Sequence, residues 1–155
     1  MTKLSSHCKD IIKSKVRGGF CLELFPGQNT ESLEFLYSCT QKKVFALCDI
    51  PFVKSNNIEL ILKRVPPYPD FDIEFNIILV SEAEWLVAPE QGSLISYDKC
   101  PKNVLSFIHK HLSKKGYFII ANVDFEIAKI VLRWFDFFGK YKFEYTSDVA
   151  VYQKL

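Results

Sequence analysis

Between Gly19 and Asp49 the chain reads GFCLELFPG, NTESLEFLYSCTQ and KKVFALCDI, and no other stretch restricts the fold as much. Phe20 to Phe25 and Val44 to Asp49 are apolar runs of strand length, separated by a Pro-Gly turn and a segment with helical spacing. Leu33, Phe35, Leu36 and Tyr37 supply the packed side of that helix, and Asn29 or Thr30 its cap. A strand, a turn, a helix and a second strand ending in an acid form the half-fold that meets an adenosine. The turn brings backbone close to a ligand, the helix offers free N–H groups, and Asp49, 22 positions after Gly27, can accept both ribose hydroxyls. A Pro-Gly after a buried strand also makes a plain turn, so the remainder of the chain has to decide.

The remainder repeats the alternation. Residues 1–15 space Leu4, Cys8, Ile11 and Ile12 as an amphipathic helix whose other side carries Lys3, Lys9, Lys13 and Lys15. Ile58 to Val65 reads as a third strand. The polar connection from Pro51 to Asn57 leaves little room for a crossover helix before it, and PPYPDFDI follows it as a stiff loop. Phe75 to Val80 (FNIILV) is almost uninterruptedly apolar, as expected of a parallel strand covered on both faces. A long connection runs from Ser81 to Cys100. The spacing then predicts a helix over Pro101–Ser113, a buried strand over Tyr117–Val123, and a helix capped by Asp124 with Ile127, Ile130, Val131, Trp134 and Phe138 on its packed side. Lys140–Ser147 and Val149–Lys154 then face each other as an antiparallel hairpin.

Composition sets the outer limits. With 155 residues, 48% of them hydrophobic, the chain is expected to form one domain over residues 1–155 with a sizeable core. A net charge of +2 is too mild to announce a nucleic-acid binder by itself, although local basic patches remain open. No apolar run reaches membrane-spanning length and the N-terminus has no apolar signal core, so a soluble, cytoplasmic protein without membrane contact is expected. Five scattered cysteines without a C-x-x-C pair fit a reducing compartment. His7, His109 and His111 do not combine with them at metal-ligand spacing, so no metal site is expected, and His109 and His111 read as surface residues at a helix end. The aromatic run Trp134 to Phe138 reads as core whose excess could cover a protein partner or a second copy.

Taken together, five strands alternating with helices and closed by an antiparallel hairpin resemble the class I S-adenosylmethionine-dependent methyltransferases. The fold this implies is α/β: a Rossmann-like, seven-stranded, mostly parallel sheet with helices on both faces and a C-terminal β-hairpin. The cofactor it implies is S-adenosylmethionine. Its methionine end would lie against the turn matched by Leu22 to Gly27, where Glu23, Phe25, Pro26 and Gly27 are the candidate contacts, and its ribose against Asp49. Leu112 to Ala121 (LSKKGYFIIA) looks like the passage into strand five of that class.

Within the class, the chain is most similar to the FtsJ-like RNA ribose 2′-O-methyltransferases, including viral cap enzymes. Pro26-Gly27 matches part of their Ala-Pro-Gly-Gly turn, Leu79-Val80-Ser81-Glu82 stands at their Ser-Asp, and Thr146-Ser147-Asp148-Val149 at their Ser-Ser-Glu. Lys3-Leu4 stands about as far ahead of the turn as their first catalytic Lys-Leu. The resemblance therefore implies Lys3 (or Lys9), Glu82 and Asp148 as catalytic residues, Ser81 beside the cofactor, and RNA as partner. The chain departs from the family pattern where strand five should bring the central lysine, because Ala121 and Asn122 stand there and neither can take a proton from a hydroxyl near neutral pH. Three readings follow, in this order: an RNA ribose methyltransferase, a methyltransferase-like domain that binds RNA or assembles without catalysis, and another Rossmann-type nucleotide binder. The closing hairpin argues against the third.

Overall fold

The computed structural model describes residues 4–26, 30–48, 56–63, 65, 67–81 and 101–155. Ser5 opens the first helix, α1 (Ser6–Lys15), by accepting the Cys8 N–H on its hydroxyl, which satisfies one of the free donors of the first turn. The chain then enters β1 (Cys21–Leu24), all four residues of which are buried. It returns through α2 (Glu31–Thr40) to β2 (Val44–Cys48). Thr30 occupies the cap position of α2 without a side-chain cap bond, contrary to the capping expected of it, and Asn29 lies outside the described residues. β3 (Ile58–Leu62) and β4 (Phe75–Val80) follow, then α3 (Lys102–His111), β5 (Leu112–Ala121), α4 (Phe125–Phe135), β6 (Tyr141–Thr146) and β7 (Val149–Lys154).

These strands make one seven-stranded sheet in the order β3-β2-β1-β4-β5-β7-β6. The first five are parallel, β7 runs antiparallel beside β5, and β6 antiparallel beside β7. The expected α/β Rossmann-like methyltransferase fold is therefore present, and the reason is visible in the alternation of side chains. On β1, Leu22 and Leu24 enter the core shared with α3 and α4, whereas Cys21 enters the core shared with α1 and α2. On β4, Ile78 and Val80 take the first side and Ile77 and Leu79 the second. A strand must be apolar throughout to fill two such layers.

Two expectations about boundaries and faces are corrected. The helix predicted over Pro101–Ser113 ends at His111, and β5 starts at Leu112, because Leu112 leaves the helix to pair with Phe75 of β4. The register then slips before Tyr117 pairs with Ile77, and Lys115 in the irregular passage takes a positive φ of 67°. On α4 the buried stripe is Ala128, Val131, Trp134 and Phe135, with Ile127, Ile130 and Phe138 only partly buried. Phe135 turns the stripe, since its ring packs 5.5 Å from both Phe118 and Tyr152. Of the aromatic run, Phe137 is 80% exposed.

The hairpin closes as its sequence suggests, with Thr146 opposite Val149 and only Ser147 and Asp148 between them. Both residues have positive φ, 47° and 65°, which is the signature of a two-residue type I′ turn. The expectation of surface histidines fails for His111, which is 4% exposed. Its Nδ1 donates to the Phe107 carbonyl at 2.9 Å, while Nε2 lies 3.1 Å from both the Phe71 N–H and the Asp70 carboxylate. None of the described helices is long and apolar enough to cross a membrane.

Candidate functional site

In the strand order, the chain moves from β1 through β2 to one edge and from β4 through β5 to the other, so the direction of winding reverses between β1 and β4. Helices pack on opposite faces at that point, and in open α/β sheets such a reversal is where a ligand crevice forms, at the carboxyl ends of the two strands. Glu23 and Ser81 flank this reversal. Glu23 pairs with Leu79 in register, and Ser81 is the residue after Val80, the last of β4.

Glu23 has no exposed surface. It shares its side of β1 with Cys21, so its carboxylate is directed into the apolar layer beneath α1 and α2. Two hydroxyls meet it there: Ser32 in the first turn of α2 donates to Oε1 at 2.5 Å, and Ser81 donates to Oε2 at 3.1 Å. Burial pushes the carboxyl up to about 7, and the two hydroxyl bonds hold it below where burial alone would take it. Glu23 thereby ties together β1, the first turn of α2 and the residue after β4. Its charge is also felt at the buried thiol of Cys8, which desolvation first and Glu23 second raise to about 11.

Phe25, the residue that follows β1, is strained. Phe25 has φ 55°, a left-handed conformation that a bulky side chain seldom adopts, while its N–H donates to the Leu47 carbonyl of β2 at 2.8 Å. The chain is thus turned sharply at the end of β1, ahead of Pro26. Across the crevice, Asn122 follows β5, also with a positive φ of 57°, and its amide donates to the Ser81 carbonyl at 3.0 Å. The Val123 N–H donates to the Asp148 carbonyl at 3.0 Å, and Tyr145 donates its hydroxyl to the Val123 carbonyl and to the Asp148 carboxylate. Desolvation and then Asp148 raise the Tyr145 phenol above its usual value, keeping it a donor.

A continuous line of bonds therefore runs along the carboxyl ends of the strands from Ser32 through Glu23, Ser81, Asn122 and Val123 to Asp148. It brings together Glu23, Ser81 and Asp148 of the residues expected from sequence, with Phe25 and Pro26 at its near end. Lys3, Gly27, Asp49 and Glu82 lie outside the described residues. Lys9, the alternative to Lys3, sits 3.6 Å from Glu31 in the first turn of α2 and 5.6 Å from the centre of the Phe35 ring. At the end of β5, Ala121 is buried and Asn122 is engaged with Ser81, so these two positions bring no lysine side chain. Among the described residues no cluster of three His, Cys, Asp or Glu side chains could hold a metal ion. Sequence reasoning missed Ser32 and Tyr145. A hydroxyl in the first turn of a helix after a strand ending Leu-Glu-Leu was the available signal for Ser32. None pointed to Tyr145, whose role depends on the hairpin register.

No protein-family model matches the chain. It is 33% identical over 88 residues to a protein of Acanthamoeba polyphaga mimivirus named as a putative BTB/POZ domain-containing protein, a match covering 48% of this chain and spanning 18% of that protein's length. Among solved structures, it is similar to an rRNA methylase from Streptococcus thermophilus (TM-score 0.61, 12% identity, 100% of this chain and 98% of that one). It is similar also to the N-methyltransferase NodS from Bradyrhizobium japonicum, solved with S-adenosyl-L-homocysteine (TM-score 0.62, 11% identity, 97% and 88% covered). A third likeness is to precorrin-6y C5,15-methyltransferase from Geobacter metallireducens (TM-score 0.62, 12% identity, 99% and 90% covered). At such identities the likeness is one of fold, and the fold of this chain is that of the S-adenosylmethionine-dependent methyltransferases.

Proposed function

We propose that this chain binds S-adenosylmethionine in the crevice between β1 and β4 and acts as a methyltransferase on RNA. The observation that carries the reading is the buried Glu23, held by Ser32 and Ser81 at the point where the sheet reverses its winding. A carboxylate kept in an apolar layer costs folding free energy, and fixing the turn after β1 against α2 and β4 is the return for it. Phe25 and Pro26 would then border the methionine end of the cofactor, Gly27 would let backbone approach it, and Asp49 would accept the ribose hydroxyls. The solved relatives of this fold include a protein named as an rRNA methylase and one holding S-adenosyl-L-homocysteine, which agrees with the class of cofactor and with RNA as acceptor.

The cofactor, when bound, supplies the methyl group. The chain's own part is to place the acceptor oxygen in line with it and to manage that oxygen's proton. In the ribose 2′-O reading Lys3, Glu82 and Asp148 surround the acceptor, with Asp148 held by Tyr145 and Ser81 lying beside the cofactor. A second reading, cofactor and RNA binding without transfer, is favoured by the residues after strand five. Ala121 is buried and the amide of Asn122 is spent on the Ser81 carbonyl, so neither supplies the proton acceptor that the resemblance calls for. Incubation with methyl-labelled S-adenosylmethionine and capped or uncapped RNA separates the two. Label at ribose 2′-oxygens is the expected result for an active enzyme, and sound cofactor binding with no label in any RNA selects the second reading.

A further inference from the structure

We propose that the amino edge of the sheet, opposite the crevice, is a binding surface for single-stranded nucleic acid. Because β1 to β5 are parallel and β6 runs with them, their amino ends share one edge. Basic side chains are strung along it. Lys42 lies just before β2, Lys13 in the last turn of α1, Arg17 beside β4, Lys114 and Lys115 on the irregular start of β5, and Lys142 on β6. Their places are fixed by contacts: the Arg17 N–H donates to Asn76 Oδ1 at 3.0 Å, the Lys115 carbonyl accepts from Gln153 at 3.2 Å, and Lys142 stands opposite Gln153 in register. All six are exposed.

Carboxylates are present at this edge too, and part of them are engaged. Glu59 is paired with Lys43 at 3.7 Å, Glu144 with Lys15 at 3.7 Å and Asp70 with Lys110 at 3.0 Å, while Asp72 and Glu74 are exposed before β4. Among the described residues, none of the six basic groups has a carboxylate within ion-pair distance. Two are held upright on aromatic rings, Lys42 5.0 Å from the centre of Phe20 and Lys13 5.8 Å from that of Phe35. Among the described residues the opposite edge bears Glu31, Asp124, Glu126 and Asp148 together with Lys63 and Lys102, so it lacks the basic excess of the amino edge. From β2 to β6 there are five strand intervals, or about 24 Å at ~4.8 Å each. A row of that length fits an extended polyanion. Its single-file spacing favours an extended chain of phosphates, and anionic vesicles and polyglutamate, which a basic row also attracts, are the competing polyanions in the test. The edge is roughly 20 Å from the crevice, the length of the six-residue β4, so it would hold the body of a strand and not its reacting nucleotide. The inference does not depend on cofactor binding.

Fluorescence anisotropy of the full chain with a labelled oligouridylate of about 20 nucleotides, over a range of salt, tests it. The expected result is binding that weakens with salt. For K114E/K115E, loss of two phosphate contacts should weaken it by roughly 10- to 30-fold at 0.1 M salt and flatten the log–log salt slope by about 1.4. K13E/K42E should act alike, which keeps the test open if either pair perturbs folding in a thermal melt. K63E/K102E, both at the carboxyl edge, should stay within about twofold. An unchanged slope in both edge variants, an equal loss in K63E/K102E, or equally tight binding of polyglutamate or anionic vesicles at the same salt would overturn the proposal.

Discussion

Replacing Glu23 by Gln isolates the cost of keeping a carboxylate at the switch point. The side chain is wholly buried and its carboxyl is raised from the ordinary 4.5 to about 7, mainly by desolvation. Between those values the folded protein holds a proton that the unfolded chain has released, so folding stability must fall as pH rises. The contribution is fully present below about pH 4.5 and lost as pH passes through about 7, a change of about 3 kcal/mol at ~1.4 kcal/mol per decade. Gln has nearly the shape of protonated Glu, its carbonyl can accept from Ser32, and the Ser81 hydroxyl can rotate to accept from its amide. The variant should therefore match the parent near pH 4.5 and exceed it by about 3 kcal/mol near pH 8. For a domain of 155 residues that is a rise of roughly 6–12 °C in Tm. Thermal and urea melts of the two proteins at both pH values measure it as a difference, which cancels carboxylates shifted the other way, such as Asp70. Equal stability gaps at the two pH values would refute the reasoning.

Three further outcomes follow from the same contacts. Ser32→Ala removes the shorter hydroxyl bond to Glu23, so at pH 8 it should cost about 1.5–3 kcal/mol, and less at pH 4.5 where the carboxyl is neutral; urea melts at the two pH values decide. Ser147→Asn should gain up to about 1 kcal/mol, read as a higher Tm, because asparagine tolerates the left-handed conformation required in the hairpin turn. Asp148→Asn should lower any methyl transfer to RNA by about 100-fold, with affinity for S-adenosylhomocysteine within about twofold, which labelled transfer and calorimetry check side by side.

Much of the fold was legible because both sheet faces are covered, which forces near-continuous apolar runs such as FNIILV and leaves helices with one packed stripe. The hairpin was legible from its alternation. The start of β5 was not, since Leu112 to Gly116 read as a helix end with two lysines, and only pairing with Phe75 makes Leu112 a strand residue. Nor was the packed side of α4, where a single large ring, Phe135, outweighs the isoleucines that periodicity favours. At the site, Glu23 and Ser81 were expected beside a cofactor, but their mutual bond and the part played by Ser32 depend on β1, β4 and α2 converging in space. His111 was misjudged for a related reason: the partners of its Nε2 are 40 and 41 residues away, in the proline-rich loop.

Titration calorimetry with S-adenosylhomocysteine tests the central claim most directly. Saturable one-site binding tighter than ~1 mM, abolished in Asp49→Ala, is the predicted result. No heat at that concentration, or equal binding by Asp49→Ala, would contradict it.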